Sequence, residues 1–236
     1  MIDSSSPVCV VVGVGPGIGA AYARRFARDG QRVALLARTT EYASALARDL
    51  PGASAYVCDV GDGGSVHRVF EAIATDLGPV DTLLYNAGAG VFGTVEDIGL
   101  DDFEAAWRTS AWGALAVAKE VIFSMKSRGQ GSIVFTGATA SRRGVARTAA
   151  FAPAKAAQRS LAESLARHLW PAGIHVAILI VDGVVDLPRT RQRMPDKPDA
   201  FFVRPADVAE TALFLTKQPR SAWTFEVEAR PFGEAW

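Results

Sequence analysis

Short apolar runs alternate with longer amphipathic segments along almost the whole chain. The apolar runs are typical of buried strands, and the segments between them repeat apolar residues at helical spacing. Strands are predicted at Val8 to Val12, Arg32 to Ala37, Ala53 to Val57, Asp81 to Tyr85, Ser132 to Thr136, Ile174 to Val181 and Trp223 to Val227. Helices are predicted at Ile18 to Asp29, Glu41 to Leu50, Gly64 to Leu77, Leu100 to Ser127, Phe151 to Trp170 and Pro205 to Lys217.

Strands and helices that alternate in this way predict an α/β fold. Right-handed crossovers place the strands side by side in one parallel sheet and the helices on both of its faces. We therefore expect a single doubly wound domain over residues 1–236, with about seven strands in the order 3-2-1-4-5-6-7. One long irregular stretch, Asp186 to Arg204, carries four arginines, one lysine and three prolines, and such a loop predicts either a lid or partial disorder.

The stretch from Val8 to Gly19 predicts the first site. A run of mostly β-branched residues ends in glycines at every second position, Gly13, Gly15, Gly17 and Gly19, and a helix follows. Such a turn lets backbone N–H groups approach a diphosphate at a helix N-terminus, where the helix dipole favours negative charge. The alternative is a tight strand-to-helix turn that holds no ligand.

Composition excludes several classes of partner. Lys plus Arg and Asp plus Glu each number 25, so the formal net charge is zero, and neither nucleic acid nor a membrane surface is expected as a partner. No apolar run reaches membrane-spanning length, and the segment before Val8 is short and polar, so we expect a cytoplasmic protein. Cys9 and Cys58 are interpreted as reduced core thiols, and the spacing of the histidines indicates no metal site.

The residues that follow the second strand bear on the choice of cofactor. Ligands of such sheets bind beyond the carboxyl ends of the strands, and an acidic residue after the second strand usually binds the ribose hydroxyls of NAD. This chain has Ala37 and Arg38 there, which favours the 2′-phosphate of NADP over NAD. The alternative is that Arg38 is only a solvated charge.

Three motifs make a family resemblance specific. The sequence resembles the short-chain dehydrogenase/reductase family: its Gly-x-x-x-Gly-Ile-Gly falls on Gly13, Gly17, Ile18 and Gly19, its Asp-Val on Asp59 and Val60, and its Asn-Ala-Gly on Asn86, Ala87 and Gly88. The resemblance covers essentially the whole chain. It implies a Rossmann-type fold, a nicotinamide cofactor whose adenine amino group contacts Asp59, and a homodimer or homotetramer built through the two long helices.

The catalytic groups of the family do not carry over as readily. The family serine falls on Ala138, the Tyr-x-x-x-Lys motif on Phe151 and Lys155, and the asparagine on Ser110. A tyrosine acid or base contributes about 10²- to 10⁴-fold to a rate, and phenylalanine moves no proton. Alcohol–ketone exchange by the family mechanism is therefore disfavoured. Lys155 keeps the role that the resemblance implies for it, which is to bind the nicotinamide ribose; its alternative is a solvated helix lysine.

Neighbouring polar side chains are the candidates to replace the missing groups. Thr139, Ser110 and Asp182 are candidate catalytic residues, and each has a structural alternative, since turn hydroxyls commonly bond to backbone and Asp182 can cap the turn after the sixth strand. In the family, Pro-Gly stands where this chain has Asp182-Gly183, and a threonine that holds the carboxamide stands where it has Leu187.

Two functions of different classes follow from these residues. The first is an NADP-dependent oxidoreductase that acts on a small molecule and needs little proton donation, such as hydride transfer to an iminium or an activated double bond. The second is a catalytically silent relative that binds NADP(H) as a sensor, scaffold or partner subunit. The apolar C-terminal run Trp223 to Trp236 is predicted to form an edge strand, which favours association.

Overall fold

A seven-stranded parallel sheet forms the centre of the molecule in the computed structural model, which describes Asp3 and residues 5–234. Its strands are β1 (Val8–Val12), β2 (Arg32–Ala37), β3 (Ala53–Val57), β4 (Val80–Tyr85), β5 (Gly131–Ala138), β6 (Ile174–Val181) and, in last place, β9 (Glu226–Ala229). Their order is β3-β2-β1-β4-β5-β6-β9. The predicted fold and strand order are confirmed.

Helices cover both faces of this sheet. They are α1 (Ile18–Arg28), α2 (Glu41–Asp49), α3 (Gly63–Asp76), α4 (Leu100–Trp107), α5 (Gly113–Arg128), α6 (Phe151–Leu169), α7 (Pro188–Arg193) and α8 (Pro205–Thr216). Apolar side chains of α3, α5 and α6 pack on one face, and those of α1, α2 and α8 pack on the other. Among the residues that the structure describes, no helix is both long and apolar enough to cross a bilayer.

The predicted continuous helix from Leu100 to Ser127 is wrong in one place. A π-helical turn, Arg108–Trp112, separates α4 from α5. Side chains from elsewhere in the fold compete here for the helical carbonyls: the Tyr85 hydroxyl donates to the oxygen of Thr109 at 2.5 Å. A single extra residue per turn accommodates such a diversion, and turns of this kind are frequent at functional sites.

The composition of the segment from Asp186 to Arg204 suggested an irregular loop, but the structure shows regular elements there. It contains α7 and the short strand β8 (Phe202–Val203), which pairs with β7 (Val184–Val185) outside the main sheet. Arg191 fixes the segment, because its guanidinium donates to Asp186 at 2.7 and 2.9 Å and to Asp199 at 2.6 Å. Charge and proline content alone indicate a loop, because composition does not reveal which charged side chains pair in the fold.

The last strand begins later than Trp223. The indole of Trp223 stacks on the buried imidazole of His175 with 4.8 Å between ring centroids, which ends the preceding turn before β9 starts. Along β9, Val227 and Ala229 pack toward the core whereas Glu226 and Glu228 alternate with them. β9 is the edge strand of the sheet, as predicted, but glutamates alternate with its apolar residues. The last two residues of the predicted run, Ala235 and Trp236, lie outside the described part of the chain.

Candidate active site

The glycine turn after β1 is packed too tightly for side chains at two of its positions. Gly13 has φ +87°, and a Cβ there would lie 2.6 Å from the Cα of Ala87. A Cβ on Gly19 would lie 2.5 Å from the carbonyl oxygen of Gly13, to which the Asn86 side-chain amide donates at 2.9 Å. The turn after β4 therefore braces the turn after β1, and the Asn-Ala-Gly residues have a structural function in addition to any ligand contact.

The N-terminus of α1 presents free donors at this edge of the sheet. In the described part of the chain, the N–H groups of Ile18 and Gly19 donate to no backbone oxygen, and no side chain caps the helix at Gly17. No described residue lies within 4 Å of where a Cβ on Gly15 would stand. Orphan N–H groups beside open space, with the positive end of a helix dipole behind them, form an anion site, so this cradle fits a diphosphate.

Arg38 and Asp59 stand at the same edge, after the neighbouring strands β2 and β3. Both side chains belong to exposed residues. The carboxylate of Asp59 accepts from the N–H of Gly61 at 2.9 Å, which orders the turn without burying the acid. Val60, in contrast, is buried against Gly113. The structure thus leaves Arg38 and Asp59 accessible to a ligand and assigns Val60 to packing.

Lys155 is a buried lysine at the centre of the site. Its Nζ donates to the carbonyl oxygen of Thr136 on β5 at 2.9 Å and to Oε1 of Gln158 at 3.1 Å. It also lies 3.4 Å from where a Cβ on Gly88 would stand, so the turn after β4 is in van der Waals contact with the lysine. Burial lowers the pKa of Lys155 to about 8. The alternative of a solvated helix lysine is wrong.

Ser110 lies in the π turn and is fully buried. Among the described residues, its hydroxyl has no hydrogen-bond partner, whereas its main-chain oxygen accepts from the side-chain amide of Gln158 at 3.1 Å. The serine side chain is therefore not the group that reaches Lys155. Gln158 makes that connection, and the sequence interpretation missed it. A polar residue three positions after Lys155, within the buried stripe of α6, was the available signal.

Thr139 and Asp182 are brought together after β5 and β6. The Thr139 hydroxyl donates to one carboxylate oxygen of Asp182, and Arg230 donates to the other at 2.7 Å. Arg143 lies 3.8 Å away. Burial alone raises the pKa of the Asp182 carboxyl, but the Thr139 hydrogen bond and the two guanidinium groups outweigh it and hold the pKa below its usual value. Asp182 is thus an ionised, paired carboxylate.

The positions predicted for the family serine and tyrosine offer no proton. Ala138 ends β5, and its N–H donates to the hydroxyl of Ser141 at 3.0 Å, so Ser141 holds the backbone turn. The ring of Phe151 packs against Phe92, with 5.0 Å between centroids. Leu187 contacts the glycine turn, since its Cδ2 lies 2.9 Å from where a Cβ on Gly17 would stand. This end of the site is lined by apolar groups.

The histidines and Arg142 lie outside this constellation. The histidines are at other places: His67 on α3, His168 in the last turn of α6, and His175 in β6, where its ring nitrogens face main-chain oxygens at 3.0 and 2.9 Å. Arg142 forms ion pairs with the glutamates of β9, and its side chain is 51% exposed. Within the described residues, no group of three or more His, Cys, Asp or Glu is placed to hold a metal ion.

The comparison of sequences decides the family. The sequence profile of the short chain dehydrogenase family matches residues 7–198. The chain belongs to the short-chain dehydrogenase family. Among curated members it is 31% identical over 220 residues to the 3-oxoacyl-[acyl-carrier-protein] reductase MabA of Mycobacterium tuberculosis, which covers 90% of this chain and 86% of that protein.

Solved short-chain dehydrogenases share the fold over nearly the whole chain. A short-chain dehydrogenase from Rhodopseudomonas palustris superimposes with a TM-score of 0.82 at 34% identity, covering 96% of this chain and 99% of that one. An actinorhodin polyketide ketoreductase with NADPH superimposes with a TM-score of 0.90 at 26% identity, covering 98% of each chain. The family and fold are those of NAD(P)-dependent oxidoreductases, and the recognition made from the three motifs is confirmed.

Proposed function

We propose that this short-chain dehydrogenase is an NADP-dependent oxidoreductase with a non-standard active site, which transfers hydride to or from a small organic substrate. The observation that carries the proposal is the buried Lys155, which lies beside the turn after β4 and donates two of its three N–H groups to described residues. A buried ammonium with one donor to spare is costly to fold and is retained where a ligand uses it.

The cradle and Lys155 hold the cofactor in this proposal. The N–H groups of Ile18 and Gly19 bind the diphosphate, Asp59 binds the adenine amino group, and the remaining N–H of Lys155 binds the nicotinamide ribose. Arg38 binds the 2′-phosphate, and the NADPH complex of the polyketide ketoreductase supports this preference. When bound, NADPH supplies the hydride.

Proton supply limits the reaction class. Ala138 and Phe151 donate no proton, and Asp182 is ionised at neutral pH because Thr139 and Arg230 hold its pKa low. Thr139 donates its own hydrogen to Asp182, so it accepts rather than donates toward a substrate. Substrates that need no proton from the protein in the hydride step, such as an iminium ion or an activated double bond, therefore fit this site better than a simple ketone.

A catalytically silent NADP(H)-binding protein is the second candidate. The absence of a tyrosine at Phe151 and of a serine at Ala138 favours it, because nucleotide binding needs neither group. The two candidates share the fold and the cradle, and they differ only in turnover. In both, we expect a cytoplasmic protein that assembles as a homodimer or homotetramer.

Hydride transfer across a panel of ketones, iminium ions and enones separates these candidates. We expect NADPH oxidation with iminium or enone substrates and little with ketones. The double variant A138S/F151Y restores the two missing groups, and ketone reduction should then rise by about a hundredfold or more. The single variant A138S is the matched control, since it adds the serine hydroxyl but not the tyrosine that would donate the proton. NADPH binding with no turnover in the whole panel would favour the silent protein.

A further inference from the structure

Gln158 is a buried amide in the site that none of the motifs assigns. It lies on α6 three residues after Lys155, so the two side chains share one helix face. No part of Gln158 is exposed to solvent. A buried carboxamide is costly unless both its oxygen and its nitrogen are hydrogen-bonded, so its partners indicate why it is there.

Both ends of the Gln158 side chain are engaged. Its Oε1 accepts from Lys155 Nζ at 3.1 Å, and its Nε2 donates to the main-chain oxygen of Ser110 at 3.1 Å. The amide therefore spans the gap between α6 and the π turn. Ser110 contributes only its backbone, since its hydroxyl finds no partner among the described residues.

We propose that Gln158 is a positioning residue, whose carboxamide anchors the Lys155 ammonium to the π turn and so directs its remaining N–H toward the bound dinucleotide. The direction follows from counting donors, because Gln158 and the carbonyl of Thr136 take two N–H groups, and the turn after β4 lies beside the ammonium, with Nζ 3.4 Å from where a Cβ on Gly88 would stand. This inference rests on the proposed cofactor binding, but the bridge itself is a property of the free protein.

Gln158 is the side chain that gives the Lys155 ammonium a hydrogen-bond acceptor, beside the carbonyl oxygen of Thr136. In the described part of the chain, no carboxylate lies within ion-pair distance of its Nζ. Two other titratable groups on neighbouring elements have partners of their own. The Tyr85 hydroxyl on β4 donates to the oxygen of Thr109, and Asp182 after β6 is paired with Arg230. A neutral amide at residue 158 gives the ammonium an acceptor without adding a countercharge.

The bridge can be tested in the free protein. Lysine labelled with ¹³C at Cε reports its own titration by NMR, and K155M identifies the signal of Lys155. We expect Q158L to lower the pKa of Lys155, because the charged form loses an acceptor, and Q158E to raise it by about one unit or more, because a carboxylate replaces the amide. Circular dichroism establishes that each variant is folded. An unchanged Lys155 pKa in both variants would overturn the proposal.

Binding of NADPH tests the direction of the remaining N–H. At pH 7 we expect Q158L to raise the dissociation constant about tenfold or more, as for loss of a hydrogen bond to a charged group. Q158E should keep its affinity at pH 9, where the wild type weakens. Q31L is the matched control, because Gln31 is also buried but bonds to Asp29 away from the site, and its affinity should be unchanged. Equal weakening in Q31L and Q158L contradicts the inference, whereas no NADPH binding by the wild type refutes only the proposed function.

Discussion

Lys155 makes the stability of this protein depend on pH in a specific window. Burial lowers its pKa from 10.5 to about 8, so between these values the unfolded chain binds a proton that the folded chain does not. The free energy of unfolding therefore rises with pH from about 8 to 10.5, and below 8 this contribution is flat.

Urea unfolding of the wild type and K155M at several pH values checks this prediction. Methionine does not titrate, so the stability of the wild type minus that of K155M should increase by about 1 to 3 kcal/mol between pH 7.5 and 10. Other groups titrate in both proteins and cancel in the difference. A difference that stays constant over this range contradicts the depressed pKa.

The carboxylate of Asp182 forms a nearly buried ion pair, so its loss should lower the stability of the fold. The side chains of Asp182 and Arg230 are 8% and 10% exposed, so D182N weakens a nearly buried ion pair. We expect a loss of about 3 kcal/mol in thermal or chemical unfolding at pH 7. Since the pKa of this carboxyl is lowered, its contribution is present above the unfolded value and is lost as the pH falls through the folded one. The exposed D199N serves as control, and equal effects of the two changes argue against this assignment.

Individual residues differed in how far their sequence context revealed them. Lys155 was found because a spacing motif points to it, and Thr139 and Asp182 because each follows a strand at the ligand edge. Arg230 was missed because Asp182 lies 48 residues away in sequence, and the Gln158 bridge because its second partner, Ser110, also lies 48 residues away and only the fold brings it close. Whether the candidates act in catalysis stays a prediction.

At the level of elements, the glycine turn allows a sharp paired test. A side chain on Gly13 meets both a positive φ and the Cα of Ala87 at 2.6 Å, whereas one on Gly15 meets open space. G13A should therefore lose about 2 kcal/mol or more of stability, and G15A should keep its melting temperature and weaken only NADPH binding. Thermal unfolding and nucleotide titration of the two variants distinguish these effects. Equal loss of stability would contradict the packing of this turn.

The segment 186–204 should depend on Arg191 for its order. The guanidinium joins Asp186 and Asp199 and lies 4.1 Å above the ring of Phe202. These contacts are partly exposed, so R191A should change global stability little and raise hydrogen exchange within the segment alone. R189A, two residues earlier on α7, is the control. Unchanged exchange in R191A would show that other contacts hold the segment, and its function as a lid stays a prediction.

The positions of strands and helices were predicted correctly wherever the apolar residues followed a single strand or helix repeat. The central strands are fully buried and read as apolar runs, so their bounds agree closely with the prediction. The failures are at Arg108–Trp112, at 186–204 and at the start of β9, where hydrogen bonds, ion pairs and ring stacking from distant residues decide the backbone. Local periodicity carries no signal of such contacts.

For the whole molecule, an exposed apolar stripe favours self-association. Leu100, Phe103 and Trp107 share one face of α4 and are 87%, 41% and 41% exposed, and Phe123 on α5 is 86% exposed. Exposed apolar side chains that share a helix face, as the three on α4 do, mark an interaction surface. We expect a homodimer or homotetramer by light scattering, and L100D/F123D should shift it toward monomer. F214D, on α8 across the sheet, is the control. A monomeric wild type would contradict this expectation.

Isotope transfer from the nicotinamide ring tests whether this protein transfers hydride from NADPH to a substrate. NADPH that carries deuterium at the transferable position of C4 is incubated with the protein and, in separate reactions, an iminium ion, an enone or a ketone. Mass spectrometry then measures the deuterium content of each product. We expect one deuterium in the iminium or enone product and a marked loss of labelling in K155M. Saturating NADPH binding with no deuterium in any product would contradict it.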